Sequence, residues 1–362
     1  MPPSVSIIIL NYNGQQFNQG CLESVLAQSY QDFEIILVDN ASTDDSMKEV
    51  DRAFEQEIQS GKIRTIYNPQ NDGFAEGNNV GVRLSRATDY IWLLNNDVIA
   101  DKDALRYLVE ELEHDATLGA IGSLILDKGY EEAIQKQIFK ERKKFTTSIF
   151  GEIVLSDITA EETEKGRYFT PALSGCSYLY RKSLIHEPFE KYYFAYAEDV
   201  FLSSKILILG YRLTVSTKSI IHHFWSGSFG KDASDFKLFH GNKNQIINFL
   251  VFYGLGQKIA LFPLFFMKEI GHLFMGNAWK RLKAKLRAIA WIWDNRSLVS
   301  QTRADIRKLN PDGGKVLLRT LDFRLSDIFF ANKPSGLKYW LLQGGNLVFQ
   351  TYGKILAYFL GI

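Results

Sequence analysis

A chain of 362 residues with 46% hydrophobic and 14% aromatic residues can bury a large core, which excludes an intrinsically disordered protein. Its two cysteines form neither a disulfide framework nor a CxxC motif, so a reducing compartment is the simpler expectation. The net charge is only +1, but residues 1–230 contain 22 Lys and Arg against 33 Asp and Glu, whereas residues 231–362 contain 20 against 8. This asymmetry indicates that the C-terminal part meets an anionic partner, either nucleic acid or a phospholipid surface.

The first hundred residues alternate between strand and helix patterns. Continuous β-branched and aliphatic runs are typical of strands buried on both faces, and apolar positions at helical spacing predict helices between them. This βαβαβαβ order predicts a mostly parallel sheet with right-handed crossovers, whose working edge lies at the carboxyl ends of the strands. The predicted strands cover residues 5–10, 35–38, 63–67 and 90–94, and the predicted helices cover 18–28, 42–58 and 75–86.

The pattern becomes less regular after the first hundred residues. Past Lys231 the chain changes to apolar and basic helices, and we place a boundary at about residues 230–236. The most apolar segment there, 246–267, contains Gln257, Lys258 and Pro263, which argues against a membrane-spanning helix. Before that boundary we predict a helix at 103–113, a charged loop or hairpin excursion at 127–168, a strand at 176–180 and a helix at 199–209.

The fourth predicted strand ends on two amides and a carboxylate, Asn95, Asn96 and Asp97. Open α/β sheets bind ligands at this edge, and one carboxylate beside amides suits a Mg²⁺ or Mn²⁺ ion shared with a substrate phosphate. An Asx-rich turn that caps the following helix explains this segment equally well when it is taken alone. The choice therefore depends on the neighbouring strand ends.

Two further strand ends have residues suited to ligand binding. Asp39 follows the second strand, where its carboxylate is placed to accept the N3–H of a pyrimidine base. The segment 71–81 places glycines and amides, Asn79 among them, at a helix N-terminus, which is a natural anion site. Turn and cap chemistry explains each segment singly. Their joint occurrence on consecutive βα loops favours a site for a nucleoside, its diphosphate and a divalent cation.

Together these segments resemble the family 2 inverting glycosyltransferases of the GT-A fold. Residues 5–14, 38–44 and 68–81 are similar to the first three strand ends and loops of that family. The strand end at Asp97 matches its degenerate DXD motif, a form common in the rhamnosyltransferase-like members that build bacterial polysaccharides. The resemblance covers about residues 4–250. It implies the α/β class with a Rossmann-like, mostly parallel central sheet flanked by helices, and a C-terminal helical extension.

The segment 196–202 resembles the ED motif of the same family, which implies that Asp199 is the catalytic base. An inverting transfer needs one carboxylate opposite the leaving group to take the proton of the acceptor hydroxyl, and no covalent enzyme intermediate. The adjacent Glu198 is expected to face acceptor hydroxyls or backbone. The alternative is an exposed first helical turn that carries acids for the helix dipole. Phe201 and Lys205 replace an Asp and an Arg common in the family, which leaves further acceptor contacts open.

A second metal ligand is implied by the similarity of residues 219–228 to a family segment that contains a histidine. The spacing favours His223 over His222, although a histidine after an apolar strand is as often an ordinary core or surface residue. The segment 173–176 resembles the loop that approaches the donor sugar and the acceptor. The resemblance thus assigns catalysis to Asp199, donor binding to Asn11, Tyr12, Asp39, Asn79, Asn95, Asn96 and Asp97, acceptor binding to Gly175, Glu198 and Trp225, and binding of Mg²⁺ or Mn²⁺ to Asp97 and His223.

The expected domains are a GT-A catalytic domain at 1–230, with nucleotide-binding (1–100) and acceptor-binding (101–230) halves, and a basic helical region at 231–362. From Trp279 to Trp293 apolar residues recur at helical spacing, with basic residues at most other positions. Cationic helices with Trp and Phe bind readily to the surface of an anionic bilayer, and each nearby basic residue contributes about 1 kcal/mol to the binding free energy. Alternatively these helices pack on the catalytic domain and show only their charges to water. Nucleic-acid binding is not expected, since no recognised module accompanies the charge.

The expected function is metal-dependent transfer of a sugar, with rhamnose as a candidate, from a UDP or dTDP donor to a glycan or lipid-linked saccharide in bacterial surface polysaccharide synthesis. The N-terminus lacks the basic region of a signal peptide, so we expect a cytoplasmic protein, peripheral at the inner face of the cell membrane. One rival is a nucleotidyltransferase, although residues 13–16 lack the basic residue of its Gly-rich signature. The other is a non-catalytic membrane scaffold with a vestigial nucleotide fold. The glycosyltransferase interpretation requires Asp39, Asp97 and Asp199 to meet at one cleft.

Overall fold

The chain divides into two compact units. The first comprises Met1–Arg142, Ile158–Leu202 and Tyr211–Asp232, and the second comprises Lys143–Asp157, Ser203–Gly210 and Ala233–Ile362. The second unit thus includes two segments from inside the range predicted as the catalytic domain, and the simple division after residue 230 stays a prediction. The computed structural model describes residues 2–87, 89–127, 143–148, 150, 153–157, 159–224, 235–273, 277–320, 323–324 and 336–360.

A mixed sheet forms the centre of the first unit. The strands of the described residues are β1 (Val5–Asn11), β2 (Phe33–Asp39), β3 (Ile63–Tyr67), β4 (Tyr90–Asn95), β5 (Val98–Ala100), β6 (Leu118–Asp127), β7 (Lys143–Thr147), β8 (Ile153–Asp157), β9 (Arg167–Phe169), β10 (Ser177–Arg181) and β11 (Arg212–His223). Nine of these described strands form the sheet, in the order β3-β2-β1-β4-β10-β6-β11-β5 with β9 paired to β11. Strands β1 to β4 are parallel, whereas β10 lies antiparallel between β4 and β6.

Helices cover both faces of this sheet. Strands β1, β2 and β4 are buried almost throughout, as a parallel sheet between two helical layers requires. Each fully buried aliphatic side chain there contributes about 1.5–3 kcal/mol. The helices are α1 (Gln15–Leu26), α2 (Ser46–Ala53), α3 (Glu55–Gln59), α4 (Gly73–Arg83), α5 (Ala104–His114), α6 (Ala160–Lys165), a 3₁₀ helix at Lys191–Tyr193, and α7 (Glu198–Ile208), which continues into the second unit.

Helix α4 packs closely on β1 because two of its glycines face the strand. A Cβ atom at Gly77 would lie 2.4 Å from Leu10 Cδ1, and one at Gly81 would lie 2.4 Å from Ile8 Cγ2. Only glycine leaves room for these strand side chains. The contacts run the helix antiparallel to the strand, so the N-terminus of α4 is held at the carboxyl edge of the sheet.

The second unit is mainly helical. In it β7 and β8 pair as an antiparallel hairpin, and Phe249 stacks on Phe265 with their ring centroids 4.8 Å apart. No helix within the described ranges is both long enough and apolar enough to cross a bilayer. Its helices are α8 (Asp235–Phe252), α9 (Leu255–Leu273), α10 (Ala278–Asp294), α11 (Arg296–Leu309), α12 (Gly313–Thr320) and α13 (Gly336–Leu360).

Candidate active site

Asn11, at the end of β1, is buried and connects three strand ends. Its amide nitrogen donates to Asp39 Oδ1 at 2.8 Å and to Ser46 Oγ at 2.9 Å. Its amide oxygen accepts from Asn18 Nδ2 at 3.0 Å and from Asn96 Nδ2 at 3.3 Å. Leaving such a buried polar group unsatisfied costs about 1–3 kcal/mol. Asn11 thus positions Asp39 and Asn96 from beneath the surface, and its own contact with a donor stays a prediction.

Asp39 ends β2 with a carboxylate held in one orientation. Its Oδ1 accepts the Asn11 amide, and its Oδ2 accepts the Ser42 backbone N–H at 3.1 Å. An ionised carboxylate has about four lone-pair positions, so two protein donors leave capacity for a ligand. The geometry is therefore compatible with the predicted contact to a nucleotide base.

Asn40 is a positioning residue that the sequence interpretation missed. Its Nδ2 donates to Asn71 Oδ1 at 2.9 Å and to the Gly73 carbonyl at 3.1 Å. Its Oδ1 accepts from Asn68 Nδ2 at 3.0 Å. Asn40 therefore ties the loop after β3 to the strand end beside Asp39. The available signal was an amide directly after a strand-end carboxylate.

The three polar residues after β4 have different surroundings. Asn96 is buried and donates to Asn18 Oδ1 at 2.9 Å, so it fixes the loop. Asn95 Oδ1 is a buried oxygen without a hydrogen-bond partner among the described residues. Unpaired buried polar atoms are rare in folded proteins, and a bound ligand is one explanation for them. The donor contacts predicted for both amides remain predictions, with Asn95 the better placed.

Asp97 lies beside His223 at the end of β11. Asp97 Oδ1 is 3.1 Å from His223 Nε2. Successive side chains of a strand point to opposite faces of the sheet, so His222 points away from this position. His222 Nε2 lies instead 3.2 Å from Asp101 Oδ1. Of the two histidines weighed from the sequence, the structure brings His223 to Asp97.

The Asp97–His223 pair fits two adjacent positions around a divalent cation. Adjacent ligands of an octahedral Mg²⁺, each about 2.1 Å from the ion, lie about 3 Å apart. The two donor atoms here are 3.1 Å apart. In the described part of the chain, no group of three His, Cys, Asp or Glu side chains forms a metal site. A cation held by this pair would complete its shell with water and substrate phosphate, as Mg²⁺ commonly does.

Asp199 lies in the first turn of α7, and both of its carboxylate oxygens accept backbone N–H groups. Oδ2 accepts from Gly175 at 3.2 Å, and Oδ1 accepts from Val200 at 2.8 Å. Burial raises the pKa of Asp199, and these N–H donors oppose the rise. A carboxylate with a raised pKa is better matched to proton abstraction near neutral pH. The bond from Gly175 also places the predicted acceptor loop against Asp199.

Cys176 links Asp199 to the strand end that carries Asp97. Its carbonyl oxygen accepts the Asn95 N–H at 3.1 Å, and the preceding residue, Gly175, donates to Asp199. Burial raises the pKa of the Cys176 thiol to about 12, and the charges of Asp97 and Asp199 both add to the rise. Cys176 and Gly175 thus connect the end of β4 to Asp199 through two hydrogen bonds.

A short path of contacts thus joins the three predicted aspartates. Asn11 binds Asp39 and Asn96, and Asn96 is followed directly by Asp97. Cys176 then connects this strand end to Asp199. All three lie along one edge of the sheet of the first unit, and their meeting at one cleft stays a prediction. Their individual roles stay predictions.

Glu198 is a buried carboxyl group next to Asp199. Its side chain is 7% exposed, and its Oε2 has no hydrogen-bond partner among the described residues. Burial, and then the charge of Asp199, raise the pKa of Glu198 well above that of an ordinary glutamate. A protonated carboxyl both donates and accepts hydrogen bonds, which suits the predicted contact with acceptor hydroxyls.

We expect Glu198→Gln to stabilise the protein more at pH 8 than at pH 5. A carboxyl whose pKa is raised by folding stabilises the fold below its unfolded pKa, and this contribution is lost as the pH rises through the folded pKa. Glutamine does not titrate, so the advantage of the variant grows with pH. We expect a gain in Tm of about 2–4 °C at pH 8, the shift produced by ~1 kcal/mol in a domain of 150–250 residues. Exposed Glu164→Gln is the control, and equal gains at both pH values would contradict the prediction.

The remaining residues predicted to bind the donor or the acceptor are Asn79, Tyr12 and Trp225. Asn79 is 1% exposed, and its amide pairs with the backbone of Phe189, donating at 2.8 Å and accepting at 3.1 Å. This geometry argues against direct donor binding, because a donor would have to displace a buried pair; Asn79 instead ties α4 to the chain ahead of α7. Tyr12 is exposed after the β1 strand end. Trp225 lies outside the described residues.

Sequence comparison places this chain among known proteins. Residues 6–187 match the model of "Glycosyl transferase family 2". The chain belongs to this family. It is 31% identical over 122 residues to glycosyltransferase GlyG of Streptococcus pneumoniae, which covers 33% of this chain and 39% of that protein. It is 25% identical over 216 residues to the poly-beta-1,6-N-acetyl-D-glucosamine synthase of Staphylococcus aureus. That match covers 58% of this chain and 47% of the synthase. This family 2 chain therefore spans less than half the length of either relative.

Solved structures confirm the predicted GT-A fold. GalNAc-T7, crystallised with UDP, GalNAc and Mn²⁺, has a TM-score of 0.59 at 15% identity, covering 82% of this chain and 57% of that one. The mannosyltransferase PcManGT of Pyrobaculum calidifontis, in complex with GDP-Man and Mn²⁺, has a TM-score of 0.50 at 18% identity, covering 99% and 86%. At these identities the likeness concerns the fold alone.

Proposed function

We propose that this family 2 chain transfers a sugar, with inversion, from a nucleotide-diphosphate donor to a saccharide acceptor. The observation that carries the proposal is the path of contacts joining Asp39, Asp97 and Asp199 at one edge of the sheet. The membership of the family supports the reaction class. The nucleotides and Mn²⁺ bound by the two structural neighbours support a nucleotide-sugar donor and a divalent ion. UDP or dTDP is the donor class we expect, with rhamnose as a candidate sugar.

In the proposed reaction the acceptor hydroxyl oxygen bonds to the anomeric carbon while the bond from that carbon to the diphosphate oxygen breaks. Asp199 takes the hydroxyl proton, and the fixed Gly175 and Val200 N–H groups hold its carboxylate in place. A single displacement of this kind inverts the anomeric centre. Asp39 accepts from the base, held by Asn11. When bound by Asp97 and His223, a divalent cation supplies Lewis-acid stabilisation of the leaving diphosphate.

The proposed acceptor is a glycan or a lipid-linked saccharide in the synthesis of a bacterial surface polysaccharide. The relative named poly-beta-1,6-N-acetyl-D-glucosamine synthase supports a polysaccharide product. A raised pKa at Glu198 supports a neutral carboxyl for hydrogen bonds with acceptor hydroxyls.

The decisive experiment is a screen of UDP-, dTDP- and GDP-sugars with Mn²⁺, first by thermal shift and then by product release. The proposal predicts that a nucleotide diphosphate is released from one donor class in the presence of an acceptor. A nucleotidyltransferase would release no nucleotide diphosphate from these donors, but it would release pyrophosphate when given a nucleoside triphosphate and a sugar 1-phosphate. A non-catalytic scaffold would release neither product, and that result with all three donor classes would refute the proposed function.

Helix α10 of the second unit exposes a stripe of apolar side chains to solvent. The buried side of this helix carries Ala284, Lys285 and Ala288, and Lys285 contacts the carboxylate of Glu269 on α9. Four large apolar residues of α10 are therefore exposed, which differs from the alternative in which only its charges face solvent, whereas Leu282, Trp291 and Ile292 are half-buried. The stripe consists of Trp279 (75% exposed), Leu286, Ile289 and Trp293 (69% exposed), bordered by exposed Lys283 and Arg287.

Helices α9 and α13 show similar exposed residues. On α9 they recur at helical spacing, and Trp340, Tyr358 and Phe359 of α13 are among the most exposed side chains. We propose that these faces bind the anionic phospholipid surface at the inner side of the cell membrane, where a lipid-linked acceptor is presented. The excess of Lys and Arg in residues 231–362 supports this partner over a neutral protein surface. The exposed large apolar residues of α9 are Leu255, Ile259, Phe262, Phe266, Met267 and Ile270.

We expect Lys283→Gln/Arg287→Gln to weaken binding to phosphatidylglycerol-containing vesicles by roughly 30-fold, since each basic residue near an anionic bilayer contributes about 1 kcal/mol. Vesicle co-sedimentation measures the change. Lys48→Gln/Arg52→Gln is a matched control, because it removes the same residue pair at the same spacing from exposed α2 of the first unit. Equal binding to vesicles of phosphatidylcholine alone, or self-association of the protein in place of vesicle binding, would contradict the proposal.

A further inference from the structure

The turn ahead of Asp199 has an unusual backbone. Phe194, Tyr196 and Ala197 have φ angles of 63°, 70° and 60°. Left-handed backbone is uncommon for residues other than glycine, and such residues cluster at functional sites where the surrounding structure holds them. A turn with three of them within four residues needs an external support, or it relaxes towards ordinary angles.

The first turn of α4 supplies that support. Gly73 has a φ of +83°, and a Cβ atom on it would lie 2.5 Å from Phe194 Cγ and 2.6 Å from the Phe194 carbonyl oxygen. The same carbonyl oxygen accepts the Ala75 N–H at 3.0 Å. Gly73 is in turn held by Asn40, whose side chain donates to the Gly73 carbonyl. Phe194 therefore rests on a site that only glycine can provide.

We propose that Gly73 and Phe194 form a positioning contact that sets the place of Asp199. The turn leads straight into α7, where the Phe201 N–H donates to the Ala197 carbonyl at 3.2 Å, so a shift of the turn moves the first helical residues. A displacement of about 1 Å at a reacting group can cost 100-fold in rate. The inference rests on the proposed role of Asp199. It adds that Gly73, which follows the loop after β3, fixes the position of Asp199 as the proposed catalytic base.

The test compares Gly73→Ala with Gly61→Ala. Both glycines have left-handed backbone, at φ +83° and +77°, but a Cβ on Gly61 meets nothing within 4 Å. The control therefore carries the same backbone penalty without touching Phe194. We expect Gly73→Ala to speed amide hydrogen exchange in residues 194–201 at least tenfold, and Gly61→Ala to leave that segment unchanged. With a donor identified, kcat should fall at least tenfold for Gly73→Ala, while the donor KM stays within about twofold.

Phe194→Gly tests the same contact without a clash. Glycine accepts the left-handed angle freely, so this variant should fold while losing the ring that rests on Gly73. We expect faster exchange in residues 194–201 and a lower kcat at unchanged donor KM. Unchanged exchange in both Phe194→Gly and Gly73→Ala, or a loss of donor affinity as large as the loss of kcat, would overturn the inference. If the wild-type protein transfers no sugar, the proposed function fails, and the exchange data still decide whether the contact holds the turn.

Discussion

Asp199→Asn is expected to abolish sugar transfer while leaving the fold and nucleotide binding intact. Asparagine keeps the shape of the side chain, and its single oxygen can accept either the Gly175 or the Val200 N–H, but it cannot take a proton from the acceptor. General-base catalysis contributes 10²–10⁴-fold, so turnover should fall by about 10³-fold or more. The measurement is nucleotide diphosphate release in the presence of acceptor, together with nucleotide affinity by calorimetry.

The pH dependence of the wild-type enzyme provides a second readout for the same residue. Burial raises the pKa of Asp199, so the acidic limb of kcat/KM should lie above the ordinary range of an aspartate. Below that pKa the base is protonated and transfer stops; above it, transfer reaches its plateau. Any residual activity of Asp199→Asn should lack this limb. Asp45→Asn, at the exposed N-terminus of α2, is the control, and unchanged turnover in Asp199→Asn would reject the base assignment.

Asp97→Ala is expected to remove the effect of Mn²⁺ on nucleotide binding. In wild-type protein, Mn²⁺ should strengthen the binding of UDP or dTDP, because a cation held by Asp97 and His223 would offset the negative charge of the diphosphate. Loss of a direct ligand should weaken the metal-dependent affinity at least about 100-fold, the upper end of what the loss of an outer-shell partner costs. Titration of the protein with UDP and dTDP, with and without Mn²⁺, measures this metal-dependent affinity directly. It needs neither an acceptor nor turnover.

A matched control comes from the residue on the other side of β5. Asp101 and His222 form an equivalent pair, with Nε2 and Oδ1 3.2 Å apart, on the opposite side of β11. Asp101→Ala should therefore leave the Mn²⁺ effect unchanged. His223→Ala should reproduce the loss seen in Asp97→Ala. If Asp97→Ala and Asp101→Ala behave alike, the cation is not bound at Asp97.

The first hundred residues, in which strands and helices alternate, were predictable because their sequence patterns are local. Predicted strands at 5–10, 63–67 and 90–94 correspond to β1, β3 and β4 within one residue at each end, since continuous apolar runs mark strands buried on both faces. The predicted helix from 42 to 58 proved to be two helices, α2 and α3, with a break at Phe54. The antiparallel insertion of β10 between β4 and β6 was not predictable, because strand pairing is set by contacts distant in the chain.

The candidate site also has features that the sequence predicted and features that it could not predict. Motif and residue type were enough to place Asp39, Asp97 and Asp199 at the ends of strands or helices, and their roles in the site stay predictions. Which amides face a ligand was beyond the sequence. Asn79 turned out to pair with the Phe189 backbone, and that partner is 110 residues away.

By itself the sequence determined the parallel half of the sheet, the acidic strand ends and the basic character of the C-terminal helices, all of which follow from residue type and short-range periodicity. Only the tertiary structure decided that Asn79 pairs with the Phe189 backbone, that Gly73 contacts Phe194 in the turn before Asp199, and that Trp279 and Trp293 of α10 face outward. The physical reason is that orientation depends on which neighbour occupies each face. Periodicity marks a stripe or a strand end but does not say what lies against it.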